Sequence, residues 1–221
     1  MIADRLACLR RQLPEGVELT AVSKFHPVEA LREAYDAGQR IFGESRVQEI
    51  TAKIDAMPDD AVWHFIGHLQ TNKVRRLLST RRIALIESVD TDRLLRAIDD
   101  ESLRLGIVTR VLLQVHVARE ETKFGFSPEE LTEFFTTGAF ESLRATHICG
   151  LMAMASNTDD TTRVSDDFRR VATLMADIQR QRPDLRGFDT LSMGMSHDYP
   201  LAIEAGANLV RIGSLIFGDR T

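Results

Sequence analysis

The sequence predicts a single-domain α/β protein built as a (β/α)8 barrel, a TIM barrel, and three observations carry the prediction. Eight short apolar or β-branched runs recur along 221 residues, amphipathic helical patterns lie between them, and no linker, low-complexity tract or charge block divides the chain. The whole chain, residues 1–221, therefore reads as one domain.

The first run, LTAVS (19–23), ends next to Lys24, and PVEALREAYDAG (27–38) follows it, opening at proline and closing at glycine as helices do. RIFGE (40–44) and WHFIG (63–67) give strands two and three. IALIESV (83–89) is the fourth, backed by the helical pattern RLLRAIDDESLRLG (93–106). RVLLQVHV (110–117) is the fifth, with PEELTEFFTTG (128–138) after it, and THICGLMAM (146–154) the sixth, with DDFRRVATLMADIQRQ (166–181). FDTLSMG (188–194) and NLVRIG (208–213) complete the set. Strands this continuously apolar belong to a parallel sheet covered on both faces. An open doubly wound sheet is the alternative architecture.

Composition narrows the function classes. The chain has 33 acidic and 28 basic residues, a net charge of −5, and no Lys/Arg block interleaved with aromatics, which argues against nucleic acid as a partner. Residues 1–16 mix Asp and Arg among their apolar positions, unlike a signal peptide, and no later stretch is apolar enough to cross a membrane. A cytoplasmic protein is expected. Cys8 and Cys149 stand apart without a CxxC pattern, as reduced, inert thiols do.

In a barrel, ligand groups sit at the carboxyl ends of the strands. That rim would hold Lys24, Glu44, Ser45, Gly67, His68, Glu87, Ser88, His116, Met152, Met154, the Ser192–Ser196 loop and the Arg211–Ser214 loop. Lys24 is either a strand-end lysine reaching into water or an amine held in a dry site to react with a carbonyl. SMGMS and RIGS combine Gly with Ser in the loops after strands seven and eight, where barrels build phosphate sites. Glycine allows close backbone approach there, and Ser196 and Ser214 offer hydroxyl donors. An amine and a phosphate cup on one rim fit a phosphosugar bound by a Schiff-base lysine or pyridoxal 5′-phosphate (PLP). Arg211, inside the apolar stretch NLVRIGSLIFG, favours PLP, because a guanidinium between amine and cup can hydrogen-bond a pyridine nitrogen.

The motifs AVSKFHP, FGESRVQE, WHFIGHLQTNKV, ESVDT, GLMAM, LSMGMS and VRIGSLIFG, from about residue 19 to residue 218, resemble the YggS/PROSC family of PLP-binding homeostasis proteins. The resemblance implies a fold-type III barrel like the N-terminal domain of alanine racemase. It puts the PLP lysine on Lys24, the phosphate serine on Ser196, the phosphate loop on Gly213 and Ser214, and the ring-nitrogen arginine on Arg211. The family usually reads FGEN where this chain has Ser45, so a ring-side asparagine contact would need a shift or a water here. Met152, Met193 and Met195 read as packing at the barrel top, with Met193 kept in the cofactor-binding set as a cover for the ring. His64 and His68, four apart on a strand and its loop, do not share a helix face and make a poor metal pair. Lys123 is either a second amine at the mouth or a solvated loop lysine.

The favoured function is a non-enzymatic protein that holds PLP as a lysine aldimine, buffers it and delivers it to apo-PLP enzymes, as a monomer or weak dimer. An amino-acid racemase is the alternative, and a lysine-dependent aldolase a third class. A charged donor at the ring nitrogen weakens the electron sink that racemisation needs. The chain has two tyrosines, Tyr35 and Tyr199, both in or near helices and neither an obvious opposite-face base.

Overall fold

The computed structural model describes residues 1–117 and 124–218. Its strands are β1 (Glu18–Val22), β2 (Ile41–Glu44), β3 (Val62–Phe65), β4 (Ile83–Val89), β5 (Thr109–Val115), β6 (Thr146–Ala153), β7 (Thr190–Ser192) and β8 (Leu209–Ile212). All eight are parallel and close in sequence order into one barrel, which excludes the open sheet. Closure runs through β1 and β8, with Thr20 beside Arg211 and Ala21 beside Ile212. The first and last strands, which carry Lys24 and Arg211 at their ends, are thus neighbours.

Nine α-helices of the described residues cover the barrel: α1 (Ile2–Gln12), α2 (Val28–Asp36), α3 (Val47–Lys53), α4 (Val74–Leu78), α5 (Asp92–Leu105), α6 (Pro128–Thr136), α7 (Thr161–Gln181), α8 (Tyr199–Glu204) and α9 (Ser214–Phe217). Their ends follow capping chemistry. Thr91 accepts from the Leu94 amide to open α5, which Gly106 closes at φ 64°, a left-handed conformation that costs glycine little. Ser127 and Glu130 form a reciprocal capping box on α6. Asp160 accepts from the amides of Thr162 and Arg163, so α7 begins five residues before the pattern read from the sequence.

Two apolar regions follow from strand alternation. Trp63, Phe42, Phe65, Phe135 and Phe168 are fully buried in the large cluster shared by strands and helices. A separate small cluster of Leu85, Leu112, Cys149, Met152 and Leu209 lies among the strands. Thr20, His64, Glu87, Ser192 and Arg211 are also buried in the strands, so the upper barrel is polar. Among the described residues no helix is long and apolar enough to cross a membrane.

Candidate functional site

The turn after β1 is tied down on both sides of Lys24. The Ser23 amide donates to Gly43 O at 3.0 Å, and the His26 amide returns to Ser23 O at 3.1 Å. The Phe25 amide donates to Glu49 Oε2 at 2.8 Å. Phe25 has φ 69°, a left-handed conformation that costs a bulky residue roughly 1 kcal/mol or more and persists only where its surroundings hold it. With the turn fixed, Lys24 is half-buried and lines a cavity of about 220 Å³ at the carboxyl ends of the strands.

Arg211 reaches the same cavity from β8 and is 4% exposed. Its guanidinium donates to Ser192 O at 3.0 Å and to the Ser192 hydroxyl, and on its other arm to Ala153 O at 2.9 Å. Glu87 stands 3.6 Å behind it. The Glu87 carboxylate also accepts from Ser192 Oγ at 2.6 Å and shares a hydrogen bond with His64 Nδ1 at 2.7 Å. Burial pushes the Glu87 carboxyl up, but the His64 hydrogen bond and charge, with Arg211 and Ser192, outweigh it and hold it below the usual range. Burial also draws the Arg211 guanidinium down, and the Glu87 charge opposes this. The result is a cation fixed by barrel carbonyls and a carboxylate, with part of its donor edge on the cavity.

The third wall is made by the loops after β7 and β8. Ser196, Gly213 and Ser214 all line the cavity. The Gly213 amide points at Ser196 Oγ at 3.4 Å, joining the loops. Gly194 sits at φ 90°, where a Cβ would lie 2.7 Å from Ala202 Cβ and 2.8 Å from Tyr199 Cα. Glycine is required there for the loop to turn back against α8. Asp198 accepts from the Met195 amide at 2.6 Å and closes that turn. Ser196, Gly213 and Ser214 thus border the cavity from these two loops, and Lys24 borders it from the turn after β1.

The cavity thus brings together Lys24, Ser45, Ser196, Arg211, Gly213 and Ser214. Met193 is the exception: it is fully buried in the large apolar cluster, because alternation after the inward Ser192 turns the next side chain toward the helices. Met154 and Met195 line the cavity instead. Glu44 and Glu87 do not open onto the cavity either; Glu44 faces Lys53 of α3 and Glu87 lies within the barrel. His64 is a hydrogen-bonded core histidine, and His68 pairs with Asp90 at 2.6 Å and packs on Phe124. Among the described residues no group of three His, Cys, Asp or Glu could hold a metal ion. Lys123 lies outside the described residues. Sequence reasoning missed His26, which stacks on Phe217 at 4.7 Å, and His197; both line the cavity from loops that carry no periodic signal. It also missed the partners that occupy the tyrosines. Tyr199 donates to Gln12 Oε1 at 2.7 Å and Tyr35 to Asp60, each outside the cavity lining.

A larger cavity of about 620 Å³ lies alongside, over the ends of β5, β6 and β7, and shares Met154, Met195 and His197 with the first. Its described lining contains neither Lys24 nor Arg211, both of which border the smaller cavity.

Comparison with known proteins gives a consistent set of likenesses. The family model of the alanine racemase N-terminal domain matches residues 1–221. A pyridoxal phosphate homeostasis protein of Schizosaccharomyces pombe is 40% identical over 209 residues, covering 93% of this chain and 85% of that protein. The protein of the same name from Aquifex aeolicus is 41% identical over 216 residues, covering 97% and 92%. Among solved structures, PipY of Synechococcus elongatus with PLP bound superposes with a TM-score of 0.88 at 40% identity, covering 99% of this chain and 100% of that one. An alanine racemase of Clostridium difficile shares the fold alone, at 13% identity and a TM-score of 0.78.

Proposed function

This chain belongs to the alanine racemase N-terminal-domain family and, within it, to the pyridoxal phosphate homeostasis proteins, and from that membership we propose that it holds PLP covalently on Lys24 and passes it on without catalytic turnover. The observation that supports the reading is the convergence of an amine, a buried guanidinium and a hydroxyl–amide cup on one cavity of about 220 Å³. That donor set fits PLP group for group: an amine for an aldehyde, a fixed cation for a pyridine nitrogen, and Ser196, Ser214 and loop amides for a phosphate.

When bound, PLP supplies an aldehyde that condenses with a primary amine. Lys24 supplies that amine from a turn whose neighbouring residues are both anchored, so the side chain starts from a fixed root. Ser196, Ser214 and the amides around Gly213 bind the dianion and set the depth of the ring. Arg211 orients the ring and, as a permanent cation, opposes a proton on the nitrogen beside it. Glu87, Ser192 and Ala153 O hold the guanidinium in place. Ser45, Met154 and Met195 border the cavity beside these groups.

Retention, not turnover, is what this arrangement serves, and the cytosol, where apo-enzymes are loaded, is the compartment the reading assigns. Racemisation needs a positioned acid or base on each face of the substrate carbon, each contributing roughly 10²–10⁴-fold. Tyr199 is tied to Gln12 and Tyr35 to Asp60, and among the described residues that line the cavity His26 and His197 are the groups left for a second acid or base.

The test is direct. Protein loaded with PLP should absorb in the visible, Lys24→Ala should lose the band, and the loaded wild type should activate an apo-PLP enzyme. Incubation with L- or D-alanine or serine should give no racemisation above free PLP. Saturable turnover that disappears in both Lys24→Ala and His197→Ala would replace this reading with the racemase.

A further inference from the structure

Lys53 is a buried lysine engaged by two carboxylates, Glu44 and Glu49. It ends α3 and is 8% exposed, with its ammonium donating to three oxygens: Ser23 O at 3.0 Å, Glu44 Oε1 at 2.8 Å and Glu49 Oε2 at 3.3 Å. Each of the three leads to the turn that carries Lys24. Ser23 is the residue before it, Glu44 Oε1 also accepts the Ser23 hydroxyl at 2.7 Å, and Glu49 Oε2 accepts the Phe25 amide at 2.8 Å.

We propose that Lys53, with Glu44 and Glu49, is an ionic clamp that positions Lys24 for reaction with a carbonyl ligand, an inference that rests on the assignment of Lys24 as the reactive amine. One ammonium ties the residue before Lys24 through its carbonyl and, by way of Glu44, its hydroxyl. Through Glu49 it ties the residue after Lys24 by its amide. The left-handed Phe25 is the strained member, and it is held from inside by Glu49 and from outside by the Arg46 guanidinium, 4.7 Å over its ring. Without the Glu49 acceptor the amide and the φ of Phe25 are released together, and the direction in which Lys24 leaves the backbone goes with them.

Stability alone does not account for such a cluster. Glu44 is fully buried and its second oxygen has no partner among the described residues, while a buried ion pair is often no more stabilising than apolar packing of the same volume. The clamp is also separate from ligand contacts: Ser23, Glu44, Glu49 and Lys53 are absent from the cavity lining. Removing it therefore alters the aim of the amine and leaves the arginine and the phosphate cup as they are.

That separation defines the experiment. Affinities for PLP and for pyridoxine 5′-phosphate, which has the same phosphate but an alcohol in place of the aldehyde, are measured for the wild type, Glu49→Leu and the double variant Lys53→Met/Glu44→Gln. Glu49 is partly exposed, so Glu49→Leu keeps the test available if the double variant does not fold. The expected result is a loss of roughly tenfold or more in PLP affinity, the scale of one or two charged hydrogen bonds, and a slower attachment rate, with pyridoxine 5′-phosphate affinity unchanged. A parallel loss for both ligands, or no loss for either, overturns the positioning role. A wild type that binds both ligands equally instead removes Lys24 as the reactive amine, a separate failure.

Discussion

Arg211 shows how much of this site depends on residues that never meet the ligand. Its guanidinium is held by Ser192 and Ala153 O, and Glu87 in turn is held by Ser192 and His64. Glu87→Gln breaks a buried charge pair and should cost about 3 kcal/mol or more near neutral pH, read by urea unfolding. The Glu87 carboxyl lies below its ordinary value of 4.5, so its contribution is complete above that value and is lost as the pH falls through the depressed native value. The gap between wild type and variant should therefore narrow below pH 4.5; a gap that widens in acid would contradict the network. At the other end of the cavity, Ser196→Ala and Ser214→Ala should each weaken PLP by about 1.5–3 kcal/mol, roughly 10–100-fold, with unchanged unfolding midpoints. Wild-type affinity for pyridoxal equal to that for PLP would remove the phosphate cup. The place of Ser196 and Ser214 on the rim was legible in the sequence because Gly–Ser pairs follow two strand ends. The Glu87 network was not, since strand parity alone does not say which buried polar groups meet across a barrel.

At the scale of elements, the strands were recoverable to within about two residues because covered parallel strands are nearly continuous apolar runs. Helices α2, α5, α6 and α7 were visible through proline starts, glycine stops and long amphipathic patterns. The short α3, α4, α8 and α9, of 7, 5, 6 and 4 residues, gave no periodicity to read, although α3 carries Lys53 and α9 follows the Gly213 turn. Met193 packs into the large apolar cluster for a related reason: β7 has three residues, and its end at Ser192 turns the next side chain outward. The loop after β7 depends on Gly194. Gly194→Ala would add a Cβ at φ 90° and 2.7 Å from Ala202 Cβ, so it should cost at least about 1–3 kcal/mol and lower PLP retention, because the Arg211 amide bonds Gly194 O at 3.0 Å. Urea unfolding together with PLP release from the variant checks both parts. Wild-type stability would mean the loop has room the structure does not show.

Over the whole molecule, barrel closure converts sequence distance into proximity. Lys24 and Arg211 lie at opposite ends of the chain, yet β1 and β8 are hydrogen-bonded neighbours, so amine and guanidinium share one cavity. The closed barrel also fixes where these side chains start, since each leaves a strand end or a loop joined to its neighbours by backbone hydrogen bonds. If this cavity holds PLP through Lys24, borohydride reduction of the PLP-loaded protein followed by peptide mapping will locate the cofactor there. The phosphopyridoxyl mass should appear on the peptide containing Lys24, with Lys53 and Lys73 unmodified. A label found only on Lys53, Lys73 or Lys123, or no stable label at all, would contradict it.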